Sequence, residues 1–85
     1  MSDVMVIFKV MPSGVETDLV KLENDISEAV NPQRIEREPV AFGLVALNVT
    51  TLMEDAEGKL DQVESKLRGI ENVSDVQVTE ITRTI

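Results

Sequence analysis

Residues 34–53 read Arg34-Ile35-Glu36-Arg37-Glu38-Pro39-Val40-Ala41-Phe42-Gly43-Leu44-Val45-Ala46-Leu47-Asn48-Val49-Thr50-Thr51-Leu52-Met53, and their folding decides the rest of the chain. Gln33–Val40 is charged and extended. Ile35 alternates with Arg34 and Glu36, and Pro39 cannot donate to a ladder, which is the profile of an edge strand. Ala41-Phe42-Gly43 makes a tight connection. In Leu44–Met53, Val45, Leu47, Val49 and Met53 then share one face, and Ala46, Asn48 and Thr50 the other. Strands joined this closely pair antiparallel, so an edge strand lies against an interior one.

On either side of this hairpin the pattern repeats. Val4–Met11 is a strand with Val4, Val6, Phe8 and Val10 on one face and Met5, Ile7, Lys9 and Met11 on the other, stopped by Pro12-Ser13-Gly14. From Thr17 the period becomes helical through Leu19, Leu22, Ile26 and Ala29/Val30, with Thr17 as N-cap and Asp18 in the first turn. Asn31-Pro32 ends that helix. Beyond the hairpin, Glu54-Asp55-Ala56-Glu57-Gly58 forms an acidic turn. Leu60, Val63 and Leu67 mark a short second helix closed by Gly69 as a C′ residue. In the last strand, Val73–Thr82, Val76 and Val78 are in phase but Ile81 is one residue out, which a bulge near Thr79-Glu80 would reconcile.

The order β-α-β-β-α-β follows. Right-handed crossovers and a direct hairpin arrange it as a four-stranded antiparallel sheet, strand order 4-1-3-2, with both helices on one face. This is the α+β ferredoxin-like architecture, expected to span residues 1–85 as one domain.

Composition narrows the function. Among 85 residues, eight basic side chains face sixteen acidic ones, a net charge of −8. That argues against gripping a phosphate backbone or an anionic membrane. With no Cys and no His, thiolate catalysis, disulfides, zinc fingers and imidazole acid–base chemistry fall away. The exposed sheet face, expected to carry Met5, Ile7, Lys9, Ala46, Asn48 and Thr50, holds no ring on which a base could stack. Glu54, Asp55 and Glu57 lack the alternating spacing of a calcium loop and read as a solvated turn, and no phosphate-cradling glycine motif occurs. No cofactor is expected. The N-terminus carries Asp3 where a signal peptide needs positive charge, and the longest uncharged run, Pro39–Met53, is too short to span a bilayer, so the cytoplasm is the expected location.

Charge is unevenly spread. Residues 1–31 hold six acids and two bases, residues 54–85 eight and four, whereas residues 32–53 hold two of each. The hairpin is therefore the neutral part of an acidic chain. Its tip, Pro39 to Leu44, is apolar where tips are normally polar. Phe42 either folds back onto the core edge or anchors a partner.

At these residues the chain resembles the archaeal elongation factor 1-beta family. The resemblance is carried by Ile35–Val49 with its Pro39-Val40-Ala41-Phe42-Gly43-Leu44 centre, by Val6-Ile7-Phe8-Lys9-Val10-Met11-Pro12, and by Gly69-Ile70-Glu71-Asn72-Val73-Ser74-Asp75-Val76. It implies a ferredoxin-like fold and guanine-nucleotide exchange on the GTPase elongation factor 1-alpha, without catalytic residues in this chain. It also implies that the Ala41-Phe42-Gly43 loop touches the GTPase, with Phe42 the principal contact and Pro39, Val40, Ala41, Gly43 and Leu44 shaping the loop. In the eukaryotic members a lysine near the chain end reaches the magnesium and phosphate site. Here the sequence ends Ile81-Thr82-Arg83-Thr84-Ile85, and Arg83 is the nearby cation. The expectation is a monomer in isolation, binding neither nucleic acid nor membrane. The alternative is a small-molecule-sensing module of the same architecture that dimerises through its sheet.

Overall fold

β1 (Asp3–Pro12) is the strand on which the others assemble. Its alternation is complete: Val4, Val6, Phe8 and Val10 are buried, and Met5, Ile7, Lys9 and Met11 are half-buried on the opposite face. A strand apolar on one face and mixed on the other can be flanked on both edges. The computed structural model, which describes residues 3–54 and 58–83, shows that arrangement. β1 pairs antiparallel with β3 (Val45–Glu54) and with β4 (Val73–Arg83), and β2 (Arg34–Pro39) pairs with β3. The order β2-β3-β1-β4 is the expected 4-1-3-2 sheet read from its other edge. The charged, proline-bearing strand is at an edge.

Helix α1 (Leu19–Val30) and helix α2 (Lys59–Arg68) cover the buried face. Leu22 and Ile26 from α1, and Leu67 from α2, join the β1 residues, Leu47, Val49 and Val76 in one core. Phe8 is fully buried there. At about 1.5–3 kcal/mol for each fully buried large apolar side chain, this core is the main source of stability in so short a chain.

The N-cap of α1 shifts by one residue from the expected position. Asp18, not Thr17, caps α1, its carboxylate accepting from Lys21 N–H at 3.2 Å. The Thr17 hydroxyl instead accepts from Gly14 N–H, bracing the preceding loop. Asn31 ends α1 in the left-handed region at φ 47. Gly69 ends α2 at φ −80, an ordinary right-handed conformation, and Asn72 at φ 72 makes the left-handed turn into β4. Thr51 lies in phase with Val49 and is buried, its hydroxyl donating to Val6 O at 3.1 Å. Ala46, expected on the exposed sheet face, is fully buried, because its single methyl sits below longer neighbours such as Glu38 across the ladder.

The β4 bulge falls where the phase break required it. Ile7 faces Glu80 while Phe8 faces Val78, leaving Thr79 extra, and the Thr79 hydroxyl donates to Ile7 O at 3.2 Å. Ile81 thereby returns to the core side opposite Val6, although half of it stays exposed. Of the acidic turn, Glu54 belongs to β3 and Gly58 caps α2, while Asp55, Ala56 and Glu57 lie outside the described residues. No helix among the described residues is long and apolar enough to cross a membrane.

Register also fixes which loops share an end. Val10 faces Leu47 and Pro12 faces Val73, whereas Asp3 faces Glu54 and Val4 faces Arg83. The β1–α1 loop, the β2–β3 tip and the α2–β4 turn therefore lie together at one end of the sheet. Ser13 N–H donates to Asn72 O at 2.8 Å, tying two of those loops.

Candidate partner-binding site

The tip of the β2–β3 hairpin turns in a way its sequence makes costly. Pro39 still pairs with Val45. Val40 N–H then donates to Leu44 O at 2.9 Å and Leu44 N–H to Ala41 O at 3.2 Å, so one residue on the β3 side answers two on the β2 side. Between them runs a short turn, Ala41–Gly43, with Phe42 at φ 59, ψ 33 and Gly43 at φ 78. Two successive left-handed residues closed by that hydrogen bond form a type I′ turn, whose twist matches the flanking strands. Gly43 suits its position. The residue before it is ordinarily Asn, Asp or Gly, and here it is Phe.

A bulky side chain in the left-handed region costs about 1–2 kcal/mol, because its Cβ crowds the following carbonyl. Phe42 has no packing to offset that. It is 96% exposed, more than any other large apolar residue described, so it does not fold back onto the core edge. Ala41, Gly43 and Pro39 are exposed beside it, and Val40 and Leu44 are half-buried at its base. The turn thus lifts an aromatic ring clear of the body, and backbone strain of this kind concentrates at functional sites.

Below the tip the edge strand is held from both sides. Arg37 reaches α1 and donates twice to the Glu23 carboxylate, at 3.0 and 3.1 Å. The hydrogen bond to Glu23, and then its charge, raise the Arg37 guanidinium above its ordinary value. On the other face Asn48 donates to Glu38 at 2.7 Å. These contacts fix the direction of β2 at Arg37 and Glu38, the two residues before Pro39.

Arg83 is elsewhere. It ends β4 opposite Val4, at the far end of the sheet from Phe42. There it borders a small cavity of about 120 Å³ with Val4, Met53, Lys59, Leu60 and Ile81. The ten residues of β1 separate the two ends by roughly 30 Å at the usual strand rise. The structure therefore brings Pro39 to Leu44 together and leaves Arg83 apart.

One neighbour of the tip was not legible in the sequence. Val15, in the β1–α1 loop, is 64% exposed, and its Cγ1 lies 3.6 Å from where a Cβ on Gly43 would sit. Nothing in its local sequence signals that contact, which depends on β1 and β3 being neighbours. Among the described residues there is no cluster of three acids suited to a metal ion, and no buried polar side-chain atom lacks a partner. What the site presents is shape and apolar surface.

Residues 5–84 match the family model described as the EF-1 guanine nucleotide exchange domain. The chain is 44% identical to elongation factor 1-beta of Methanothermobacter thermautotrophicus, with 98% of each chain covered. It is 47% identical to elongation factor 1-beta of Metallosphaera sedula, covering 98% of this chain and 97% of that one. With elongation factor 1-beta of Methanosphaera stadtmanae the identity is 42%, again over 98% of each.

Proposed function

Since this chain belongs to the elongation factor 1-beta guanine nucleotide exchange family, a family of translation elongation, we propose that it binds elongation factor 1-alpha through the β2–β3 tip and promotes exchange of GDP for GTP there. The observation that carries this reading is Phe42, fully exposed on a backbone conformation that costs stability and repays none of it within the chain.

The chemistry of exchange belongs to the partner. A factor that binds the empty GTPase more tightly than the loaded one must, by linkage, weaken nucleotide binding by the same ratio. No nucleophile or base is needed in this chain. Phe42 enters an apolar pocket on the GTPase, with Pro39, Val40, Ala41, Gly43 and Leu44 setting the loop that carries it. The useful perturbation on the GTPase is at the magnesium and phosphates, whose charges dominate nucleotide affinity.

The two ends of the sheet constrain how this happens. With roughly 30 Å between them, Phe42 and Arg83 reach separate surfaces of the GTPase. In our reading the tip supplies affinity and Arg83 acts at the other end. The chain works as one exchange unit, a monomer in isolation, in the cytoplasm.

The test is release of a fluorescent GDP analogue from elongation factor 1-alpha with unlabelled nucleotide in excess. Acceleration in proportion to added protein is expected. An unchanged release rate at saturating protein rejects the proposal.

A further inference from the structure

We propose that Val15 is a second contact for the same GTPase, so that two loops at one end of the sheet, and not the hairpin tip alone, form the docking surface. The inference rests on the exchange reading and deepens it. Three observations carry it.

The first is position. Val15 Cγ1 is van der Waals distance from the Gly43 position, so the valine methyls and the Phe42 turn form one continuous apolar surface. A partner surface that continues from Phe42 past Gly43 reaches Val15 next. The second is presentation. Thr17 N–H donates to Gly14 O at 3.2 Å and Gly14 N–H to the Thr17 hydroxyl at 3.3 Å, which places Val15 at the apex of a doubly closed turn. Ser13 N–H is bonded to Asn72 O, and the Ser74 hydroxyl reaches the carbonyls of Met11 and Pro12 at 3.2 and 3.1 Å. The loop is therefore held before a partner arrives, and binding does not have to order it. The third is lack of internal use. Val15 is 64% exposed and absent from the core, so its apolar surface contributes little to folding.

The occupant is the apolar rim of the pocket that takes Phe42. Its chemistry follows from continuity with the tip: a shallow aliphatic surface, a few ångströms from the ring site, without a charge facing Val15.

The experiment uses the full chain and elongation factor 1-alpha loaded with a fluorescent GDP analogue. Val15→Ala removes two methyls whose burial contributes about 0.8 kcal/mol each, so KM for the GTPase should rise about fifteenfold with kcat unchanged, the signature of lost uniform binding. The melting temperature should stay at the parent value. A photo-crosslinking residue at position 15 should capture the GTPase, whereas one at Asn24, exposed midway along α1, should not. A KM within twofold of the parent, or no crosslink from position 15, overturns the proposal if Phe42→Ala has lost exchange in the same assay. If Phe42→Ala is fully active as well, the reading of the β2–β3 tip as the docking site falls and takes this inference with it.

Discussion

Replacing Phe42 by glycine should make the protein more stable and leave it unable to stimulate exchange. At φ 59, ψ 33 the phenylalanine occupies a region that costs an L-residue about 1–2 kcal/mol and glycine almost nothing. Against that gain, glycine makes the unfolded chain more flexible, which costs roughly 0.4–1 kcal/mol. The ring adds nothing to either side, because 96% of the residue is already in water. The balance favours the variant by about 0.5–1 kcal/mol. For a chain of this size that corresponds to a rise of roughly 2–8 °C in melting temperature. Phe42→Ala is the control, since it removes the ring but keeps the left-handed strain, and its stability should stay within about 0.5 kcal/mol of the parent. Thermal unfolding followed by circular dichroism, alongside fluorescent GDP release, measures both properties. Glycine should raise the midpoint above alanine, and both variants should lose most exchange activity. A glycine variant less stable than the alanine variant would refute the strain argument. Either variant retaining full exchange would refute the role of the ring.

Three further outcomes follow from named contacts. Asp18→Ala should cost about 1 kcal/mol in urea unfolding, by leaving Lys21 N–H without its cap, while Thr17→Val should cost less because Thr17 braces the loop and not the helix. Phe8→Ala should cost about 3–5 kcal/mol, enough to leave a detectable unfolded fraction at 25 °C by far-ultraviolet circular dichroism. Arg83→Ala should slow exchange less than Phe42→Ala, and the losses in the double variant should add on a logarithmic scale, since the two sites lie at opposite ends of the sheet. Strong non-additivity in GDP release would mean that the two ends act on one surface.

Much of the architecture was readable because strands announce themselves through a period of two. The alternation of Val4, Val6, Phe8 and Val10 set the face of β1, and the broken phase at Ile81 located the Thr79 bulge. Thr51 obeyed the same period, between Val49 and Met53, but its hydroxyl disguised it, since a buried Thr is acceptable only when a carbonyl such as Val6 O is within reach. Ala46 failed for the opposite reason, because burial of so small a side chain is decided by the height of its neighbours. The α1 N-cap slipped by one residue because Thr17 and Asp18 can both cap, and only the loop geometry gives each a separate donor.

The candidate site was half legible. An apolar hairpin tip in the neutral stretch of an acidic chain was visible in the sequence, but whether Phe42 packed inward or stood clear was a question of turn handedness. The Phe-Gly pair settles it through left-handed dihedrals that aim the ring outward. Val15 was invisible for a topological reason: it meets Gly43 only because β1 and β3 are adjacent, 28 positions apart in sequence between the two residues.

The most direct measurement compares the affinity of this protein for elongation factor 1-alpha emptied of nucleotide with its affinity for the GDP-loaded form, by titration calorimetry. Tighter binding to the empty form is predicted, by the same factor by which the bound protein weakens GDP. Equal affinity for the two forms would contradict the account, however strongly the proteins associate.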